Sequence, residues 1–206
     1  MKKINLIMLG VLLVFILGGC SNNGGAYQEY ITTYNKIIET ENELLQYDSI
    51  FIEIHNEENQ LYETIIKQGE DKIQDVEEYL DEASLIISEG KNLIKNDQET
   101  VQKMQHDLRD SEQFFDVLKK REDGEFLIRL HNLYTERLDQ YAILLELCDD
   151  FLDKKQVLYD SLESGESLKD VSNIVDEINL CSINLEEKIL TFNRLTEEYN
   201  KLKSSM

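Results

Sequence analysis

Residues 73–118 read IQDVEEYLDEASLIISEGKNLIKNDQETVQKMQHDLRDSEQFFDVL, and this stretch decides the fold. Within it Ile73, Val76, Leu80, Ala83, Ile87, Gly90, Ile94, Asp97, Val101, Met104, Leu108, Ser111, Phe115 and Leu118 follow one another at alternating steps of three and four. An α-helix turns through about 100° per residue, so these steps keep one stripe facing the same partner. Sustained over about six heptads, the stripe is the seam of a long helix packed in coiled-coil fashion.

Outward from this stretch the same rule holds, and the breaks are few: Gly69, the turn Glu122-Asp123-Gly124, and Ser164-Gly165. They cut the chain into segments near 27–67, 70–121, 125–163 and 167–203. The third segment carries Leu127, Leu130, Tyr134, Leu138, Tyr141, Leu145, Cys148, Leu152, Tyr159 and Leu162, with a stutter at 130–134–138 that relaxes a left-handed supercoil. The fourth carries Leu168, Val171, Ile174, Ile178, Cys181, Leu185, Phe192, Leu195, Tyr199 and Leu202. In the first, paired apolar residues such as Ile37-Ile38, Leu44-Leu45 and Leu61-Tyr62 make a broader stripe, crossed by the polar line Glu41, Asp48, His55.

There is no Pro and no Trp, and Leu, Ile, Glu, Lys and Gln dominate, a helix-favouring mixture with little hairpin punctuation. The predicted fold is all-α: an elongated antiparallel up-and-down helical bundle of about four long helices with coiled-coil-like packing, each about 60 Å long. Gly69 is the boundary on which the count turns. If the first two segments fuse partly, or the first breaks near Asp48-Ser49, the bundle becomes three long helices with a shorter arm.

The N-terminus has a different grammar. Lys2 and Lys3 precede an apolar run from Ile4 to Ile16, too short to span a bilayer, for which about 20 residues are needed. It ends in Leu17-Gly18-Gly19-Cys20, which resembles the lipobox of bacterial lipoproteins. Small residues suit a peptidase that threads an extended backbone, and the sulfur of Cys20 can carry a diacylglyceryl group. Residues 1–19 are therefore expected to be a signal peptide cleaved between Gly19 and Cys20. Residues 20–26 are expected to be a lipidated cysteine with a flexible tether reaching about 12–15 Å, and residues 27–206 a single helical-bundle domain. This places the protein on the extracytoplasmic face of the cell membrane, held by its lipid anchor.

The formal net charge is -21, from 42 acidic against 21 basic residues. Such a surface repels nucleic acid and anionic lipid headgroups, and wall teichoic acid as well unless divalent cations bridge the two. No nucleic-acid partner is expected. His55, His106 and His131 are scattered and form no metal-binding pattern, so no metal or cofactor is predicted. The pairs Glu57-Glu58, Glu77-Glu78, Asp149-Asp150, Glu186-Glu187 and Glu197-Glu198 read as solvated helix faces, because adjacent helical residues point about 100° apart while catalytic carboxylates must face each other. No catalytic residue and no enzymatic activity are predicted.

Two further sets of residues are singled out. Cys148 and Cys181 lie about equally far on either side of the Ser164-Gly165 turn and both sit on inward stripes, so antiparallel packing brings them to one layer. A disulfide and two buried thiols are both open; thiols are favoured, because a disulfide needs Cα atoms within about 7 Å, closer than many packed helices allow. Tyr27, Tyr30 and Tyr34 form a stripe at i, i+3, i+7 near the tether. That spacing suits a buried face first, and the cluster is also the first candidate for a contact surface that stacks on sugars.

The segment Asn56–Gly69, NEENQLYETIIKQG, followed by an acidic helix with Ala83 and the Ile86-Ile87 pair, resembles the YkyA-type cell-wall binding lipoproteins of Gram-positive bacteria. The order of lipobox, tether and charged helices is similar too. The resemblance implies an elongated helical bundle outside the membrane in association with the cell wall (peptidoglycan), and supplies no catalytic or ligand residue. The expected function is that of a membrane-anchored, non-enzymatic lipoprotein that binds or spaces the wall. The alternative is a helical adapter that docks an envelope protein partner, for which an uncovered apolar patch would be the mark.

Overall fold

The computed structural model describes residues 23–69, 76–165 and 168–205, the side chains of 23, 45–55, 68–69 and 168 excepted. The described chain forms helix α1 (Asn23–Gly69), α2 (Glu77–Ser111), a 3-10 turn (Glu112–Phe114), a short α3 (Phe115–Leu118), α4 (Gly124–Glu163) and α5 (Leu168–Lys203). The all-α expectation holds, and the described residues contain no strand.

α1 is unbroken through Asp48-Ser49 and is described as far as Gly69, so the described residues hold four long helices. Propagating a nucleated helix through polar residues is far less demanding than starting one, so the interior Asp-Ser pair does not end it. The same cooperativity corrects the predicted tether. Asn23, Gly24, Gly25 and Ala26 are the first turn of α1, carried by the packed Tyr30 and Ile31 that follow. A first turn lacks intrahelical acceptors for its N–H groups in any sequence, so two glycines there interrupt little.

Helix directions follow from side-chain pairs. Between α2 and α4, Gln105 donates to Asp139 at 2.7 Å and Gln156 donates to Ser84 at 3.1 Å, so numbers rise along one helix as they fall along the other. Between α4 and α5, Tyr141 stacks near Phe192 with ring centroids 5.5 Å apart, and Lys154 pairs with Glu177 at 2.7 Å. Both pairs are antiparallel. α1 meets α4 at Tyr34–Tyr134 and again, farther along both, at Glu58–Lys155, so these two helices run parallel, as alternate members of an up-and-down bundle must. The backbones neighbour one another in the order α1, α2, α4, α5. At the α1–α5 edge, side chains complete the closure, with the Tyr34 and Tyr199 hydroxyls 3.2 Å apart.

Burial follows the predicted seam of α2 closely: Val76, Leu80, Ala83, Ile87, Gly90, Ile94, Val101, Met104, Leu108, Ser111 and Leu118 are all buried, while Asp97 and Phe115 are half-buried. α4 departs from expectation. From Leu130 of the predicted stripe it also buries Arg137, Leu144, Phe151 and Leu158 at seven-residue intervals, plus His131 and Lys155. It packs α2 on one side and α5 on another and receives side chains from α1, so one stripe could not serve it.

Two glycines fix the turns. A Cβ on Gly124 would stand 1.8 Å from the Leu118 carbonyl oxygen, so the turn between α3 and α4 closes only without a side chain there. Gly165 has φ +70°, the left-handed conformation that ends α4. Arg121 secures the first turn by donating from Nε to Asp123 at 2.9 Å while its guanidinium lies 3.7 Å from the Tyr27 ring centroid of α1.

Candidate functional site

Among the described residues, two polar layers lie inside the bundle, both linking α1 to α4. In the first, Glu41 pairs with Arg137 and accepts a hydrogen bond from the Tyr134 hydroxyl at 3.0 Å. The guanidinium lies 5.0, 5.4 and 5.6 Å from the ring centroids of Tyr134, Tyr199 and Phe192. Burial lowers the Arg137 pKa from its ordinary value, but an arginine keeps its charge inside a protein. Burial raises Tyr34, Tyr134 and Tyr199 above the usual phenol range, so this collar consists of neutral hydroxyls.

The second layer pairs Glu58, 2% exposed, with Lys155 at 3.0 Å, and Tyr159 donates its hydroxyl proton to the same carboxylate. The Lys155 ammonium lies 4.8 Å from the Tyr62 ring centroid and 5.7 Å from that of Phe151. The expectation that Glu57-Glu58 is a solvated face is therefore corrected. Glu57 is exposed, but Glu58 falls on the seam with Leu61 and Ile65, where the incoming Lys155 compensates its charge. The layers stand about 26 Å apart along the axis, at about 1.5 Å per residue. Each carboxylate is already held by a cation and a tyrosine. Such pairs set helix register: slipping α1 against α4 would leave two buried cations and two carboxylates without partners.

His131 forms a third buried feature at the α1 N-terminal end. It is 0% exposed, its ring lies edge-on to Phe115 at 4.9 Å, and the centroids of Tyr30 and Tyr34 are 6.1 and 6.3 Å away. Neither ring nitrogen has a hydrogen-bond partner among the described residues, and burial lowers its pKa to about 4. It is a neutral aromatic filler at physiological pH.

The residues singled out from sequence are distributed as follows. Cys20 and the cleavage position at Gly19 lie outside the described residues, and so do the side chains of Asp48 and His55. Tyr30 and Tyr34 are buried in the core, stacked with centroids 5.8 Å apart, and Tyr27 is half-buried beneath Arg121. Of the two readings of this spacing, the buried face holds for Tyr30 and Tyr34, while Tyr27 stays partly exposed at its edge. Cys148 and Cys181 are thiols with no disulfide between them. Cys181 is buried with Sγ 3.8 Å from the Leu147 carbonyl oxygen, and burial raises its pKa, which keeps it in the unreactive thiol form. The other four acidic pairs stand at exposed or half-buried positions.

Sequence reasoning passed over Arg137 and Lys155, read Glu58 as part of a solvated face and saw in His131 only a histidine outside any metal-binding pattern. Lys155 was within reach: the third-segment seam steps from Leu152 directly to Tyr159, and Lys155 occupies the vacant place between them. Arg137 had a weaker signal, standing midway in the period of seven from Leu130 to Leu144.

No group of three or more metal-ligating side chains occurs among the described residues, and none of their helices is long and apolar enough to cross a membrane. The fold and its interior define the class: an elongated, acidic, all-helical bundle whose polar groups serve internal register. Residues 25–206 match the family YkyA, "Putative cell-wall binding lipoprotein", and the chain belongs to that family. No curated protein and no solved structure matches it.

Proposed function

We propose that the protein is a lipoprotein anchored through Cys20 to the outer face of the cell membrane, where its bundle binds or spaces the cell wall without catalysing a reaction. The observation that carries this reading is the position of the family match. It begins at residue 25, five residues beyond the lipobox cysteine, and runs through the whole bundle to residue 206. With α1 starting at Asn23, an anchor on Cys20 leads almost directly into a helix of 47 residues, about 70 Å long. A stiff arm joined so closely to a lipid suits projection from the membrane toward the wall.

The acidic surface sets a condition. Teichoic acid carries the same sign of charge, so wall contact is strongest where Ca²⁺ or Mg²⁺ bridges the two or where neutral glycan is the ligand. Sedimentation of the purified protein with insoluble peptidoglycan, with and without millimolar Ca²⁺ or Mg²⁺, is the direct test. Co-sedimentation supports direct wall binding. A protein that stays in the supernatant under every ionic condition leaves the spacer role and removes the binding one.

A further inference from the structure

Leu180, Ile183 and Leu190 of α5 are 60%, 61% and 70% exposed. The residues that α5 turns into the bundle are Ile178, Cys181, Leu195 and Tyr199. At about 100° per residue the three exposed side chains fall within an arc of about 80° on the opposite side of the helix. Asp176 and Glu187, both exposed, share that face, one a turn before Leu180 and the other between Ile183 and Leu190. The remaining large exposed apolar residues among those described, Ile66, Leu85 and Val157, occur one to a helix, as is ordinary on any surface. Among the described residues, only α5 lines three of them along one face with carboxylates interleaved.

Charge decides what fits there. A second copy of the chain would bring a formal charge of -21 against -21, and an anionic bilayer would be repelled in the same way. Glu177 is engaged by Lys154 at 2.7 Å, and Arg194 is neutralised by Glu198 at 2.6 Å. Asp176 and Glu187 have no ion-pair partner among the described residues, so the face presents two carboxylates ready for cations. We propose that the outer face of α5, formed by Leu180, Ile183 and Leu190 with Asp176 and Glu187, docks a basic amphipathic helix of a partner protein. The partner's apolar side lies along the Leu-Ile-Leu line, and its Lys or Arg side chains reach the two carboxylates. Three apolar residues make a small interface, of the transient kind. The proposal does not rest on wall binding, and gives the adapter alternative a surface on α5.

The test uses the full chain in detergent micelles and a fluorescent synthetic helix of leucine and lysine as the probe, read by anisotropy. Leu180→Asn, Ile183→Asn and Leu190→Asn together should weaken binding about tenfold or more. Asp176→Asn with Glu187→Gln should weaken it severalfold and flatten its salt dependence, while Leu85→Asn should leave it unchanged. These are exposed positions, so helicity by circular dichroism should be retained; Leu190→Asn alone carries the test if the triple variant unfolds. Equal binding by the triple variant overturns the proposal, as does an equal response to a leucine–glutamate helix or to Leu85→Asn. Two further results assign the face elsewhere and overturn it as well: a dimer of the wild type that the triple variant abolishes, or sedimentation with phosphatidylglycerol vesicles that depends on the three residues. The triple variant should behave as wild type toward insoluble peptidoglycan, which separates this proposal from the wall-binding one.

Discussion

Glu58 and Lys155 show how a single residue can be decisive without any role in binding. A buried ion pair adds little net stability, but removing one partner strands the other's charge in the interior. Glu58→Leu should therefore lower unfolding free energy in urea by about 3–5 kcal/mol, and adding Lys155→Met to it should restore most of the loss. If the double variant is as unstable as the single, the pair is not the source. His131 makes stability depend on pH. Its folded pKa of about 4 lies below the ordinary 6.5, so the unfolded chain binds the extra proton and stability falls as pH drops from 6.5 toward 4. Between pH 7 and 5 the loss due to this group should be about 2 kcal/mol, and His131→Phe should abolish that component of the urea curves. For the cysteines, alkylation of the unfolded protein without reductant should add two groups, one each at Cys148 and Cys181, by intact mass. A mass showing no addition at these positions would mean a disulfide.

At the scale of elements, the turns are more sharply specified than the helices they join. Gly124→Ala must displace the Leu118 carbonyl or open the turn, because the new Cβ falls 1.8 Å from that oxygen. Gly165→Ala meets no atom within 4 Å and suffers only the left-handed backbone at φ +70°. We therefore expect Gly165→Ala to reduce stability by about 1–2 kcal/mol and Gly124→Ala by more, measured side by side in urea. An equal or reversed order would mean that the α3–α4 turn relaxes freely. The two glycines also show why boundaries were legible: each was marked in sequence as a break, and each is a place where backbone geometry leaves no room for, or disfavours, a side chain. The second stripe of α4 was not legible in the same way. Leu144, Phe151 and Leu158 are plainly apolar, but a helix with two adjoining stripes differs from one with a single broad stripe only in how many partners it has.

For the whole molecule, length and anchorage make the predictions. Scattering from the soluble bundle should give a rod with a longest dimension of about 70 Å, set by the 47 residues of α1. Cys20→Ala should shift the protein from the membrane fraction to the soluble extracytoplasmic fraction. Retention after a high-salt wash would require a second attachment and would weaken the lipoprotein reading. The surface proposed for a partner emerged only at this scale. Tyr27, Tyr30 and Tyr34 were the natural candidates by spacing, yet the bundle encloses the last two, and among the described residues the line of three uncovered apolar side chains lies on α5.

By itself the sequence determined the all-helical class, the breaks at Glu122-Asp123-Gly124 and Ser164-Gly165 and the seam of α2, because periodicity and glycine placement act locally and leave a trace in spacing. Only the tertiary structure decided which stripe meets which. It put α4 between α2 and α5, brought Glu41 and Glu58 from one helix against Arg137 and Lys155 of another, and left Leu180, Ile183 and Leu190 exposed. Burial and charge compensation belong to pairs of residues about a hundred positions apart, and such pairing has no period along the chain.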